Sequence, residues 1–224
     1  MIALSGVTHR FGETTVLDGV DLDLAEQRIG VIGANGSGKS TFARLLNGLV
    51  LPTEGSVTVD GLDTRTHARE VRRRVGFCFT NPDAQIIMPT VGEDVAFSLR
   101  RSGLPREQVA ATVERTLERF GLHGLADRPA TQLSGGQKQL LALAAILVLE
   151  PAVLVCDEPT TLLDLRHARH VHEVLTSLPQ QLVLVTHHLD LVLDLDRVLV
   201  FDRGRVVADA DPTSAVEAYR GLMR

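Results

Sequence analysis

The chain has 224 residues, of which 44% are hydrophobic but only 4% aromatic, and it contains no Trp. This composition predicts one domain with a mostly aliphatic core. The formal net charge is −5 and the basic residues are scattered, apart from a run at 72–74, so we expect no nucleic-acid partner. The longest apolar stretch, 140–149, is about half of the roughly 20 residues that a membrane-spanning helix needs. The first residues lack the pattern of a secretory signal, and we therefore expect a cytoplasmic protein whose membrane contact is peripheral.

The predicted elements begin with a segment of alternating apolar and polar residues, 2–24, which indicates antiparallel strands. A strand at 28–33 then leads through a glycine-rich stretch into a helix at 39–48. Between 91 and 149 the apolar residues take helical spacing. Further strands are predicted at 55–60, 75–79, 153–156, 182–186 and 198–201, and a further helix at 165–178.

This alternation of strands and helices predicts an α/β fold with a mainly parallel sheet and an antiparallel region at its N-terminus. We expect a single domain in which 1–85 and 150–224 form the core and 86–149 form an inserted helical subdomain.

The cysteines and a histidine cluster have simple structural interpretations. Cys78 and Cys156 lie in apolar strands and are predicted to be buried, reduced thiols. His167, His170 and His172 are spaced so that a helix could present two of them to a metal ion, but no Cys or acidic cage accompanies them. A solvated helix face is the preferred interpretation.

Residues 33–40 read GANGSGKS and match the phosphate-binding pattern G-x-x-x-x-G-K-S between a predicted strand and a predicted helix. The glycines let backbone N–H groups converge on phosphate oxygens, and the helix start favours negative charge. Lys39 would reach the outer phosphates of a nucleoside triphosphate, and the Ser40 hydroxyl would bind Mg²⁺. The predicted nucleotide-binding residues here are Gly33, Asn35, Gly36, Ser37, Gly38, Lys39, Ser40 and Thr41.

Two adjacent acids end the strand predicted at 153–156. Asp157 is placed to hold Mg²⁺ together with Ser40. A carboxylate beside the terminal phosphate can polarise an attacking water, and Glu158 is therefore the predicted general base.

A second phosphate-binding element follows from the sequence LSGGQ at 133–137. Ser134, Gly135, Gly136 and Gln137 offer a hydroxyl and bare backbone N–H groups at a predicted helix start. One chain does not need two phosphate cradles for one ATP. We therefore predict a homodimer in which this element completes the site of the second copy.

These motifs, in this order, resemble the ABC ATPases, a group of P-loop NTPases, over the whole chain. The resemblance implies that Phe11 stacks on adenine and that Gln85 senses Mg²⁺ and water. It also implies that Asp164 acts across the dimer and that His187 contacts the terminal phosphate. Leu163 is bulkier than the residue frequent in the family, which puts the packing beside Asp164 in doubt.

Within that family, NPDAQ at 81–85 and the apolar residues after it resemble the ATPases of energy-coupling factor importers, most closely those that energise biotin uptake. The resemblance implies ATP and Mg²⁺ as cofactors. It implies as partners a second copy, a transmembrane coupling protein and a small membrane protein that binds a vitamin or transition metal. A conventional ABC importer ATPase is the main alternative. A soluble ABC ATPase acting on nucleic acid would carry a long coiled coil between phosphate loop and signature, which this chain lacks.

Overall fold

The computed structural model describes residues 1–223. Its strands are β1 (Ile2–Phe11), β2 (Thr14–Leu24), β3 (Arg28–Gly33), β4 (Glu54–Val59), β5 (Leu62–Asp63), β6 (Val75–Cys78), β7 (Val153–Asp157), β8 (Gln181–Val185), β9 (Arg197–Asp202) and β10 (Arg205–Ala210). Its α-helices are α1 (Lys39–Leu46), α2 (Ala68–Arg74), α3 (Val91–Leu99), α4 (Arg106–Arg119), α5 (Gly135–Leu147), α6 (Leu165–Ser177) and α7 (Pro212–Leu222). Short 3₁₀ turns occupy Pro82–Ala84, Ala130–Gln132 and Leu189–Val192.

The chain divides into two compact units. The first comprises 1–77, 152–158 and 178–224, and the second comprises 78–151 and 159–177. The segment expected to form a helical subdomain, 86–149, lies within the second unit.

The first unit is built on two sheets. The N-terminal strands form a four-stranded antiparallel sheet in the order β2-β1-β4-β5, and a six-stranded sheet has the order β10-β9-β3-β8-β7-β6. In the larger sheet β3 pairs in parallel with β8 and β9, β7 pairs in parallel with β8, and β10 pairs antiparallel with β9. The inner strands are aliphatic and buried, as both faces of a parallel sheet require.

This strand order positions the functional residues. Because β3, β7 and β8 are parallel neighbours, their carboxyl ends meet at one edge of the sheet. Ligands of open α/β sheets bind outside that edge. The phosphate loop, the two adjacent acids and the predicted switch histidine lie at the ends of these three strands or directly after them.

The second unit is helical, with α3, α4, α5 and α6 packed together. Its centre is α5, whose side chains Leu141, Leu143 and Leu147 are at most 2% exposed. Leu140, just after the signature, is also buried. Among residues 1–223, no helix combines the length and the apolar character that a membrane span requires.

The predicted α/β fold with a mainly parallel sheet and an antiparallel N-terminal region is confirmed. The elements α2, β10 and α7 had no counterpart in the prediction. Both cysteines are buried free thiols, as predicted. The solvated face proposed for the histidine cluster is wrong for His172, which is only 9% exposed, because α6 turns that side chain with Val171 towards the interior.

Candidate active site

The phosphate loop runs from the end of β3 into α1 and is packed against its neighbours too closely for side chains at two glycines. Gly33 has φ +152°, and a Cβ there would lie 2.2 Å from the Phe201 carbonyl oxygen. Gly38 has φ +102°, and a Cβ there would lie 2.7 Å from the Val16 carbonyl oxygen. Only glycine fits both the backbone conformation and the space. The loop is therefore fixed by β2 and β9 on either side.

The turn between β9 and β10 supplies a third restraint on this loop. The Gly204 N–H donates to the carbonyl oxygen of Ser37 at 3.0 Å, and the Gly204 carbonyl accepts from the Asp18 N–H at 3.0 Å. A Cβ at Gly204 would lie 2.5 Å from the Val16 carbonyl oxygen. No motif marks this turn in the sequence, but it connects the phosphate loop with the C-terminal strand pair.

Lys39 lies inside the loop and is only 6% exposed. Its Nζ donates to the carbonyl oxygens of Gly33 at 2.8 Å and Ala34 at 2.9 Å. Burial lowers the pKa of this ammonium group, and the charges of Glu158 and Asp157 oppose that shift. A phosphate group would give the buried cation a stronger partner than two carbonyl groups do.

Ser40 and Asp157 form a set of oxygen donors suited to Mg²⁺. The Ser40 hydroxyl donates to Asp157 Oδ1 at 2.9 Å, and Arg44 lies 3.8 Å from Oδ2. Asp157 is 2% exposed, and burial raises its pKa, although the Ser40 hydrogen bond and Arg44 act against that rise. A hydroxyl and a carboxylate side by side match the oxygen ligands that Mg²⁺ prefers.

Glu158 follows Asp157 directly in the chain and contacts His187. Its φ of +56° is unusual for a residue other than glycine, and its N–H donates to the Val185 carbonyl at 2.9 Å. The His187 Nδ1 lies 2.5 Å from Glu158 Oε2. The His188 ring packs on that of His187, with centroids 4.2 Å apart. The predicted base and the predicted switch histidine are thus in direct contact.

Phe11 ends β1 and is 56% exposed. The His9 ring meets it edge to face, with centroids 4.6 Å apart, and His9 Nδ1 lies 2.9 Å from the carbonyl oxygen of Leu51. A half-exposed ring supported from behind leaves a face open for stacking.

In the second unit, Gln85 follows the 3₁₀ turn Pro82–Ala84, which the Asn81 side chain caps. Its Oε1 accepts from the Phe79 N–H at 3.2 Å, and its Nε2 donates to the Ala142 carbonyl at 3.4 Å. Gln85 is therefore held between the segment after β6 and α5. An ion pair that was not predicted lies close to Gln85 in the chain, with Lys138 Nζ 2.7 Å from Asp83 Oδ1. The acid in NPDAQ and the lysine directly after LSGGQ were the available signals.

The signature residues form a capping box at the start of α5. Ser134 Oγ accepts from the Gln137 N–H at 3.3 Å, and Gln137 Oε1 accepts from the Ser134 N–H at 3.0 Å. Asp164 caps α6 in a similar way and accepts from the His167 N–H at 2.9 Å. The reciprocal cap was not predicted, although S-x-x-Q is its sequence pattern.

The predicted site residues are divided between the two units. The first unit contains Phe11, residues 33–41, Asp157, Glu158 and His187. The second unit contains Gln85, residues 134–137 and Asp164.

Comparison with known proteins identifies the family. The ABC transporter family model matches residues 17–161. A protein of Deinococcus radiodurans named as an ABC transporter ATP-binding protein is 53% identical over 223 residues, which cover 100% of this chain and 99% of that one. The biotin transport ATP-binding protein BioM of Rhizobium etli is 46% identical over 212 residues, with 95% and 94% covered.

Solved structures give the same result. CbiO1 of Clostridium perfringens, described as part of the ABC transporter complex CbiONQ, superposes with a TM-score of 0.87 at 30% identity and covers 100% of this chain and 92% of that one. The dimeric cassette MJ0796, bound to ADP and Pi, superposes with a TM-score of 0.83 at 28% identity, with 95% and 99% covered. The fold and the family match together show that this chain belongs to the ABC transporter family, as an ATP-binding and ATP-hydrolysing subunit.

Proposed function

We propose that the loop 33–41 holds the phosphates of ATP and that Phe11 stacks on the adenine. Lys39 is a buried cation whose Nζ donates to two carbonyl oxygens. A triphosphate carries full negative charge and would attract Nζ away from these carbonyl groups. Ser40 and Asp157 would hold Mg²⁺, which when bound neutralises charge on the phosphates.

The catalytic step that we assign to this chain is proton removal from the attacking water. Glu158 is the base, and the Oε2 contact with His187 fixes its orientation. This contact is the single observation that carries the assignment, because it places a carboxylate and an imidazole together beyond the ends of β7 and β8. His187 donates through Nδ1 to the carboxylate. When Nε2 also carries a proton, that nitrogen would donate to a terminal phosphate oxygen.

The proposed active form is a homodimer with two composite sites. Residues 134–137 and Asp164 would complete the nucleotide site of the second copy. Gln85 would link the state of each bound nucleotide to the helical unit. The support is chemical: one ATP does not need two phosphate-binding elements from one chain. The MJ0796 cassette, similar in fold, is a dimer with ADP and Pi.

The transporter that we propose is an energy-coupling factor importer for a vitamin or transition metal, with biotin as the first candidate. The NPDAQ motif and the similarity to BioM support this choice. The partners would be a transmembrane coupling protein and a small membrane protein that binds the substrate, and the chain would lie at the cytoplasmic face of the membrane.

The surface proposed for the membrane partner is the apolar run 86–89. Ile87 is 69% exposed, while the buried carboxylate of Asp94 accepts from the N–H groups of Ile87 at 2.8 Å and Met88 at 3.0 Å. Asp94 therefore holds this backbone in place and leaves the isoleucine outside. An apolar side chain on a fixed loop suits a partner helix.

Copurification of the tagged chain from native membranes tests the transporter assignment. We expect one large and one small membrane protein, and biotin retained by the small one. Recovery with a periplasmic binding protein instead would identify a conventional importer. Recovery without any membrane protein would contradict the transport proposal.

A further inference from the structure

His167 occupies an unusual place between two elements of the second unit. It lies in the first turn of α6, where its backbone N–H donates to Asp164 Oδ1. Its ring Nδ1 lies 2.8 Å from both carboxylate oxygens of the same Asp164. These hydrogen bonds, the backbone one first, hold the pKa of Asp164 below its usual range. The ring nitrogen must carry a proton here, because an ionised carboxylate only accepts.

The same ring packs on the signature. A Cβ built at Gly136 would lie 2.5 Å from His167 Cδ2 and 3.0 Å from Cγ, so the imidazole occupies the space that the missing side chain leaves. Leu163 approaches the neighbouring glycine, with its Cδ2 3.6 Å from a Cβ built at Gly135. The start of α6 and the start of α5 are thus joined through one ring.

We propose that His167 is a positioning residue that sets the spacing between the Asp164 carboxylate and the backbone of the signature. The inference rests on the proposed function, in which both groups reach the nucleotide of the second copy. The Asp164 carboxylate and the signature backbone would contact the same nucleotide, so the distance between them must match it. A ring that is hydrogen-bonded to the carboxylate and packed on the signature keeps that distance fixed. The contact to ATP within the same chain does not involve His167.

The test compares the purified subunit carrying His167→Leu or His167→Asn with wild type. Leucine fills the ring's space without a donor, whereas the Asn amide can donate to Asp164 from about the position of Nδ1. We expect His167→Leu to lower kcat by about tenfold, the scale of one lost hydrogen bond to a charged group, with KM for ATP changed less than about twofold. His167→Asn should restore kcat to within about threefold of wild type.

Melting temperature and a matched variant separate positioning from simple stabilisation. His170→Leu removes an exposed histidine from the same helix and should leave kcat and melting unchanged. If His167 only stabilises the helix start, leucine and asparagine will lower kcat equally and in proportion to the melting temperature, and the proposal is wrong. A kcat for His167→Leu equal to wild type also overturns it.

A separate variant tests the composite site across the dimer, on which the proposal for His167 rests. Ser134→Arg should abolish hydrolysis if the signature completes a second copy's site. Wild-type activity in Ser134→Arg would overturn the composite site, and with it the role of His167, whereas loss in Ser134→Arg with a normal His167→Leu would overturn the positioning role alone.

Discussion

His187 Nδ1 lies 2.5 Å from Glu158 Oε2, so the predicted base and the predicted switch residue are already joined. We expect Glu158→Gln to slow hydrolysis by roughly 10²- to 10⁴-fold while ATP still binds, because the amide keeps the shape but cannot accept the water proton. Steady-state phosphate release and ATP binding measure the two effects. Hydrolysis within about threefold of wild type would refute the assignment of the base.

Loss of His187 should reduce ATP hydrolysis less than loss of the Glu158 carboxylate does. His187→Ala leaves the Glu158 carboxylate in place but frees its orientation, and we expect a fall in kcat of at least about tenfold. His188→Ala is the matched control, since the His188 ring packs on the ring of His187. Equal losses in the two variants would show that the assignment to His187 is wrong.

Mixed dimers test the composite sites. Chains with Lys39→Ala retain the signature, and chains with Ser134→Arg retain the phosphate loop. A mixed dimer therefore contains one site that has lost both elements and one that keeps both. We expect ATPase activity in the mixture above that of either variant alone. If the mixture gains nothing over the separate variants, completion across the dimer is incorrect.

Burial of Lys39 predicts how ATP affinity depends on pH. The pKa of free Lys39 is below its ordinary 10.5, and bound phosphates favour the charged form and raise it. Affinity is therefore complete below the pKa of free Lys39, and it is lost as pH rises from there through the higher pKa of the bound state. Binding of ATP without Mg²⁺, titrated from neutral to strongly alkaline pH, measures this. Lys39→Arg, whose guanidinium stays charged, should show no such fall, and a flat wild-type curve would contradict the prediction.

The exposed apolar loop predicts a defect confined to assembly. Ile87→Glu should abolish copurification with membrane partners, because it places a charge on a surface proposed to be buried in the complex. ATP binding and the melting temperature of the isolated subunit should not change, since the side chain is 69% exposed. Met88→Glu should act in the same direction, although Met88 is less exposed. Normal copurification of Ile87→Glu would exclude this loop as the docking surface.

Local sequence patterns predicted the parallel strands and the phosphate loop because both depend on neighbouring residues. Apolar runs of four to six residues identified β3, β7 and β8, and the glycine spacing identified the turn into α1. The amphipathic strand β10 and the helix α7 were missed, because their exposed residues leave only a weak apolar period.

Contacts between segments that lie far apart in the chain could not be predicted from the sequence. The pairing of Asp83 with Lys138, and of Gly136 with His167, depends on how α5 packs, which no local period encodes. Asp94 illustrates the same limit: an acid in a helical pattern is expected at the surface, yet this one is 3% exposed because it bonds the N–H groups of the loop before its helix.

The bond from the Gly204 N–H to the Ser37 carbonyl has a consequence for biosynthesis. The phosphate loop is translated more than 160 residues before the strand and turn that restrain it through Phe201 and Gly204. Because domains form from the N-terminus while the rest of the chain is still being made, a nascent chain carries this loop without its restraints. Competence to bind nucleotide should therefore arise only after the segment through Gly204 has left the ribosome and packed against the loop.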